Sequence, residues 1–88
     1  MNGFYNRASV ERIKAEFPEE TRIVVLHMDE KMHPIPDGTR GTVKYVDDAG
    51  HIHCKYDNGR CGLALVPEVD QFRKLTPEEL GKEGSTES

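Results

Sequence analysis

His51 and His53 stand two apart in a stretch whose apolar residues alternate, so both imidazoles leave the same side of a strand. Imidazole suits zinc or nickel, and His27 or His33 would be the further ligands to consider. No cysteine or carboxylate is spaced to complete a tetrahedral set, so a solvated strand face is expected and no metal. Cys61, beside this hairpin, raises the question of a thiolate nucleophile. Alternation sends the cysteines and the histidines to opposite sides, and no Cys–His pair is expected. Asp47, Asp48 and Asp57 are candidate acid–base carboxylates, but each falls where a turn wants a side chain that bonds its own backbone two residues on. The acidic set Asp29, Glu30 and Asp37 is read as a solvated loop before a cation site. No stretch has the spacing of a phosphate-binding loop or a catalytic triad, so neither a catalytic residue nor a cofactor is expected.

Binding is what the remaining residues offer. Between Met28 and Pro36 the chain sets Met28, Met32, His33 and Ile35 among the charges of Asp29 and Glu30. With Tyr45 and Tyr56 they would line a groove for a peptide or a protein face, although strand parity favours both tyrosines as core. A competing surface is basic: Lys44, His51, His53, Lys55 and Arg60 would make a nucleic-acid face if folding gathers them. Charge balance disfavours it, since 16 acidic residues stand against 12 basic ones for a net charge of −4. Thr21 to Leu75 holds eight of each sign, so the acidic excess sits at the two ends. A near-neutral centre has no general pull on phosphate, yet screening confines the reach of the acidic tail to roughly 10 Å. A protein or peptide partner is therefore the first expectation, and weak nucleic-acid binding the alternative.

These side chains need a scaffold, and 88 residues allow one domain with a modest core. Its net stability should be about 3–5 kcal/mol. The run from Ser9 to Phe17 places Val10, Ile13 and Phe17 on one stripe, with Ser9 as N-cap and Pro18 as stop. Such a helix is too short to stand alone in water and should dock. Thr21 to His27 is rich in β-branched residues and reads as a strand. Thr39 to Val46 reads as a second, with Gly41 inside it predicting a bulge or tight bend. Val43 and Tyr45 share a side there while Val46 falls on the other, unless the strand ends or a second irregularity intervenes near Tyr45.

The third strand alternates cleanly, with Ile52, Cys54 and Tyr56 inward and His51, His53 and Lys55 outward. A two-residue Asn58-Gly59 loop would pair Asp57 with Arg60, Tyr56 with Cys61 and Cys54 with Leu63. That register makes both cysteines reduced core residues, diagonal to one another and outside comfortable disulfide geometry. After a turn at Val66 to Asp70, Gln71 to Leu75 is a last strand anchored by Phe72 and Leu75. Thr76 and Pro77 could start a helix, which Gly81 and the Gly/Ser/Glu-rich remainder should dissolve. The expected organisation is a flexible stretch over 1–8, a helix plus small five-stranded barrel over 9–75, and an acidic, largely disordered tail over 76–88. No apolar run approaches membrane-spanning length and no signal pattern opens the chain, so a cytoplasmic location is expected.

The order Gly38-Thr39-Arg40-Gly41-Thr42-Val43, Val46-Asp47-Asp48 with Gly50, Ile52-His53 leading to Asp57-Asn58-Gly59, then Leu65-Val66-Pro67 and Asp70 with Phe72, resembles a group of small bacterial proteins. They are catalogued as a domain of unknown function and are found also in phages and conjugative elements. The resemblance spans roughly Glu16 to Leu75. Members commonly carry tryptophan where this chain has Tyr56, which keeps an aromatic and changes what it can stack on. The resemblance implies an SH3-like fold and brings no established activity. It also suggests an accessory protein of a mobile element.

Overall fold

The computed structural model describes residues 7–85 of the chain. The fold is mainly β: five antiparallel strands in one open sheet, with a short helix at each end of the described chain. In order, these are α1 (Arg7–Glu16), β1 (Arg22–His27), β2 (Arg40–Val46), β3 (Ile52–Tyr56), β4 (Ala64–Leu65), β5 (Gln71–Lys74) and α2 (Pro77–Ser85). The strands lie in the order β4-β3-β2-β1-β5, so β4 and β5 form the two edges. Arg7 and Ala8 already belong to α1, which corrects the expected flexible stretch there; the rest of that stretch lies outside the described residues.

Period-two alternation decides which side chains meet. Ile23, Val25, Val43, Ile52, Cys54, Tyr56 and Leu65 gather with Val46, Met28 and Ile35 in one core on the inner side of the sheet. Helix α1 adds Ile13 and Phe17 to it, and Phe17 meets Phe72 with ring centroids 5.6 Å apart. Burial of this stripe is what holds a helix too short to persist alone.

Two irregularities shift the pattern. The β2–β3 register slips between Val43 and Tyr45, so an extra residue, Lys44, is accommodated in β2. Val43 and Val46 therefore both point inward, and Tyr45 turns outward to lie opposite His53. Gly41 is not the bulge. It lies opposite Tyr56, and a Cβ there would stand 3.0 Å from Tyr56 Cδ1 and 3.1 Å from the Lys55 carbonyl oxygen. Its lack of a side chain is what lets the Tyr56 ring lie across the strand.

The β3–β4 hairpin differs at its tip from the two-residue loop. The Gly59 N–H donates to the Tyr56 carbonyl at 2.9 Å and the Tyr56 N–H to the Arg60 carbonyl at 3.0 Å, with Gly59 at a φ of 91°. This is a three-residue loop closed by a glycine bulge, and it displaces the partner of Tyr56 by one residue. Gly62, at a φ of 93°, restores the count, because Ile52 faces Leu65 and His53 faces Ala64 as alternation requires. Between these two glycines Cys61 is carried out to solvent, so only Cys54 is a core thiol; both are free.

The C-terminal segment is a second correction. Instead of dissolving after Gly81, α2 stays helical to Ser85. A reciprocal cap starts it: the Thr76 N–H donates to Glu79 Oε1 at 2.8 Å and the Glu79 N–H to Thr76 Oγ1 at 3.1 Å. Arg73 adds a two-pronged pair to Glu79 at 2.9 and 3.0 Å, and Arg22 holds Glu83 in the last turn.

Candidate functional site

The long loop between β1 and β2 is not the expected groove. Met28 and Ile35 are 4% and 1% exposed and belong to the core, with the Ile35 N–H directed at Met28 Sδ, 3.4 Å away. Asp29 donates its N–H to Asp70 Oδ1 at 2.7 Å, and Glu30 accepts the Met32 N–H at 3.4 Å. His33 and Pro34 offer their carbonyls to Arg60 at 2.6 and 3.2 Å. Of the apolar candidates Met28, Met32 and Ile35, only Met32 stays in solvent, at 74% exposure. The loop needs plugs because its polar length must be pinned over the core, and alternation does not extend into a loop to reveal which residues serve.

Asp70 is the pin that sequence reasoning passed over. It is 8% exposed and accepts the N–H groups of Asp29 and Val66, each at 2.7 Å, so the start of the loop is tied to the turn before β5. A carboxylate this buried persists because both bonds come from backbone donors that would otherwise lose their partners.

The outer side of the sheet holds the more organised chemistry. Cross-strand pairing makes a series of rows: Tyr45 opposite His53, Thr42 opposite Lys55 and Arg22, and, by the Asp57 N–H to Arg40 carbonyl bond, Arg40 beside Asp57. Tyr45 is 56% exposed and stacks on His53, ring centroids 4.3 Å apart and planes within 6°. Asp47 fixes this platform by accepting a hydrogen bond from His53 Nε2 at 2.9 Å. Asp47 also accepts the Ala49 and His51 N–H groups at 3.0 and 2.9 Å, so the expected turn former positions an outward ring as well. Burial opposes its charge, but these bonds outweigh burial and hold its carboxyl below the ordinary value.

Beside the platform, Lys14, Phe17, Pro18, Glu19, Lys44 and Tyr45 line a shallow cleft of about 310 Å³ where α1 ends against β2. Lys14 and Lys44 carry surface pairs to Asp48 at 3.3 Å and Glu20 at 3.9 Å. Exposed pairs of this kind are worth ~0–1 kcal/mol and exchange readily for another anion. Of the basic candidates, Lys44, His53 and Lys55 thus share this region. His51 lies at the turn before β3, half-buried as His53 is, and Arg60 is committed to the loop carbonyls.

Arg22 is the hub at the far end of the face. It bonds Asp57 through Nη1 and Nη2 at 2.8 and 2.6 Å, Thr42 Oγ1 at 3.0 Å, and Glu83 of α2 through Nε and Nη2 at 3.0 and 2.5 Å. Arg40 reaches the same Glu83 carboxylate at 3.2 Å. The Arg22 guanidinium holds the Asp57 and Glu83 carboxyls below the usual carboxylate range. Sequence alone gave Arg22 and Arg40 only as two basic residues among many. The Thr76–Glu79 spacing was the available signal that α2 would continue.

No buried side-chain nitrogen or oxygen lacks a partner among the described residues. Burial pushes the Cys54 thiol up to about 11, which removes it as a nucleophile at neutral pH. Among the described residues no three of His, Cys, Asp and Glu come together as a metal-holding group, and no helix is long and apolar enough to cross a membrane. Chemically, the face can stack a planar group and pair with anions. No curated protein and no solved structure matches the chain significantly. Residues 6–75 match the family described as domain of unknown function (DUF4314), and the chain belongs to that family.

Proposed function

We propose that the chain is a non-enzymatic module that binds single-stranded nucleic acid across the outer side of β2 and β3. The observation that carries this reading is the exposed Tyr45 ring, backed by half-buried His53, standing in line with Lys55 and with the Arg22–Arg40 pair. An aromatic surface next to spaced cations suits a single strand, because every base offers a π-face and every nucleotide a phosphate. The acidic net charge opposes this only weakly, since its excess lies at the chain ends and is screened within roughly 10 Å. A reducing, cytoplasmic setting fits the two free cysteines. A role as a mobile-element accessory rests on the sequence resemblance.

The test is fluorescence anisotropy of labelled single-stranded DNA and RNA at low salt, followed through a salt titration. With Lys44, Lys55, Arg22 and Arg40 as phosphate contacts, log affinity should fall against log salt with a slope of about −3. Tyr45→Ala should weaken binding about 5- to 150-fold while leaving the melting temperature unchanged, as loss of one stacked base implies. Absence of binding at low salt refutes the reading. A protein partner is the second reading, favoured by the exposed apolar side chains Leu26, Met32 and Val69. Salt-tolerant association lost in Met32→Asp would establish it instead.

A further inference from the structure

Helix α2 differs from the rest of the molecule in how it is held. Its charged contacts include Glu79 with Arg73 and Glu83 with Arg22 and Arg40, while its one large apolar side chain, Leu80, is 44% exposed. Nine residues are too few for a helix to persist by itself, and Gly81 and Gly84 each cost about 1 kcal/mol relative to alanine. The family match ends at residue 75, before α2 begins.

What α2 meets is chemically specific. Alternation puts Val24 and Leu75 on the outer side with Arg22 and Arg73; both are buried, yet neither belongs to the central core cluster. On this same outer side the helix delivers one carboxylate to two arginines. The Glu83 oxygens take the Nε and Nη2 donors of Arg22 together with Nη1 of Arg40, a fork that accepts phosphate as readily as carboxylate. Asp57 keeps the other edge of Arg22, so lifting α2 would free one edge of that guanidinium and the head of Arg40.

We propose that α2 is a built-in mimic of the anionic ligand: its Glu83 carboxylate occupies the phosphate position of the Arg22–Arg40 pair, and a nucleic-acid strand binds the full face only by displacing it. This rests on the nucleic-acid reading above and adds to it a self-inhibited state. Binding and release of α2 are then two sides of one equilibrium, so whatever favours one strand favours the other change by the same factor.

The test uses the full chain and its Glu83→Gln variant, which keeps the side-chain volume and removes the charge. Anisotropy with the same labelled single strands should show Glu83→Gln binding at least about 5-fold more tightly than the parent chain. Hydrogen exchange on the parent chain should show the α2 amides losing protection when the strand is added. Glu79→Gln, which loosens the helix at its start and leaves Glu83 in place, should tighten binding in the same direction. Thermal melts of both variants check that the sheet is intact. Equal affinity of parent and variants, with α2 protection unchanged on binding, overturns the mimic and leaves the nucleic-acid reading standing. No binding by any of the three chains overturns both, since α2 would then have no ligand to imitate.

Discussion

Ile35 separates a core plug from a contact residue, and the two roles predict opposite results on truncation. Its side chain is 1% exposed and packed in the same cluster as Met28, Val25 and Leu65. Ile35→Ala removes three carbons, worth about 0.8 kcal/mol each in transfer, or roughly 2.4 kcal/mol before any cavity is counted. The cavity left behind raises the expected loss to about 2–5 kcal/mol, close to the whole stability of a domain this small. Urea denaturation followed by far-ultraviolet circular dichroism should therefore find Ile35→Ala largely or wholly unfolded without denaturant. Met32→Ala, three residues earlier in the same loop and 74% exposed, should lie within about 0.5 kcal/mol of the parent. An Ile35→Ala protein with an unchanged urea midpoint refutes the argument that this loop is fixed by its apolar plugs.

Acid should detach α2 before it unfolds the sheet. The Arg73 guanidinium holds Glu79 down to about 2, and Arg22 holds Glu83 and Asp57 below the ordinary carboxylate value. Folded values below unfolded ones stabilise fully above pH about 4–5, and that contribution disappears as pH falls through the folded values. Amide signals of α2 should thus lose dispersion in acid while those of β2 and β3 persist; simultaneous loss of both would contradict a separately held helix. Cys61 should react at neutral pH with a thiol reagent in the native protein and Cys54 should not, as mass spectrometry of the labelled chain would show. Gly41→Ala should cost about 1–3 kcal/mol, because a Cβ at 3.0 Å from the Tyr56 ring forces that ring or the strand to move. A melting temperature equal to the parent's would show that Tyr56 can yield without loss.

Much of the sheet was legible because its rule is local. Ile52, Cys54 and Tyr56 point inward since successive residues of a strand face opposite ways, and Leu65 follows from the same parity across the hairpin. The candidate site was less legible because parity fails at single residues. The slip at Lys44 turned Tyr45 outward onto His53, and the glycine bulge at Gly59 sent Cys61 to solvent. In the long loop nothing periodic distinguishes Met28 and Ile35, which plug the core, from Met32, which does not.

The amino-acid sequence by itself determined the strands, the helix α1, the inward apolar set of the regular strand stretches and the places where the chain turns, though not the length of the β3–β4 loop. Each follows from interactions among residues a few positions apart: alternation, capping, and glycine at positive φ. Tertiary structure alone decided that Asp70 ties down the loop from 41 positions away, that Arg60 spends its guanidinium on the His33 carbonyl, and that Glu83 reaches Arg22 across 61 positions. These are single charged contacts between distant segments. No periodic pattern encodes them, because a charged side chain that bonds a distant backbone group or a distant charge looks like any other on a solvated surface until the chain has closed the distance.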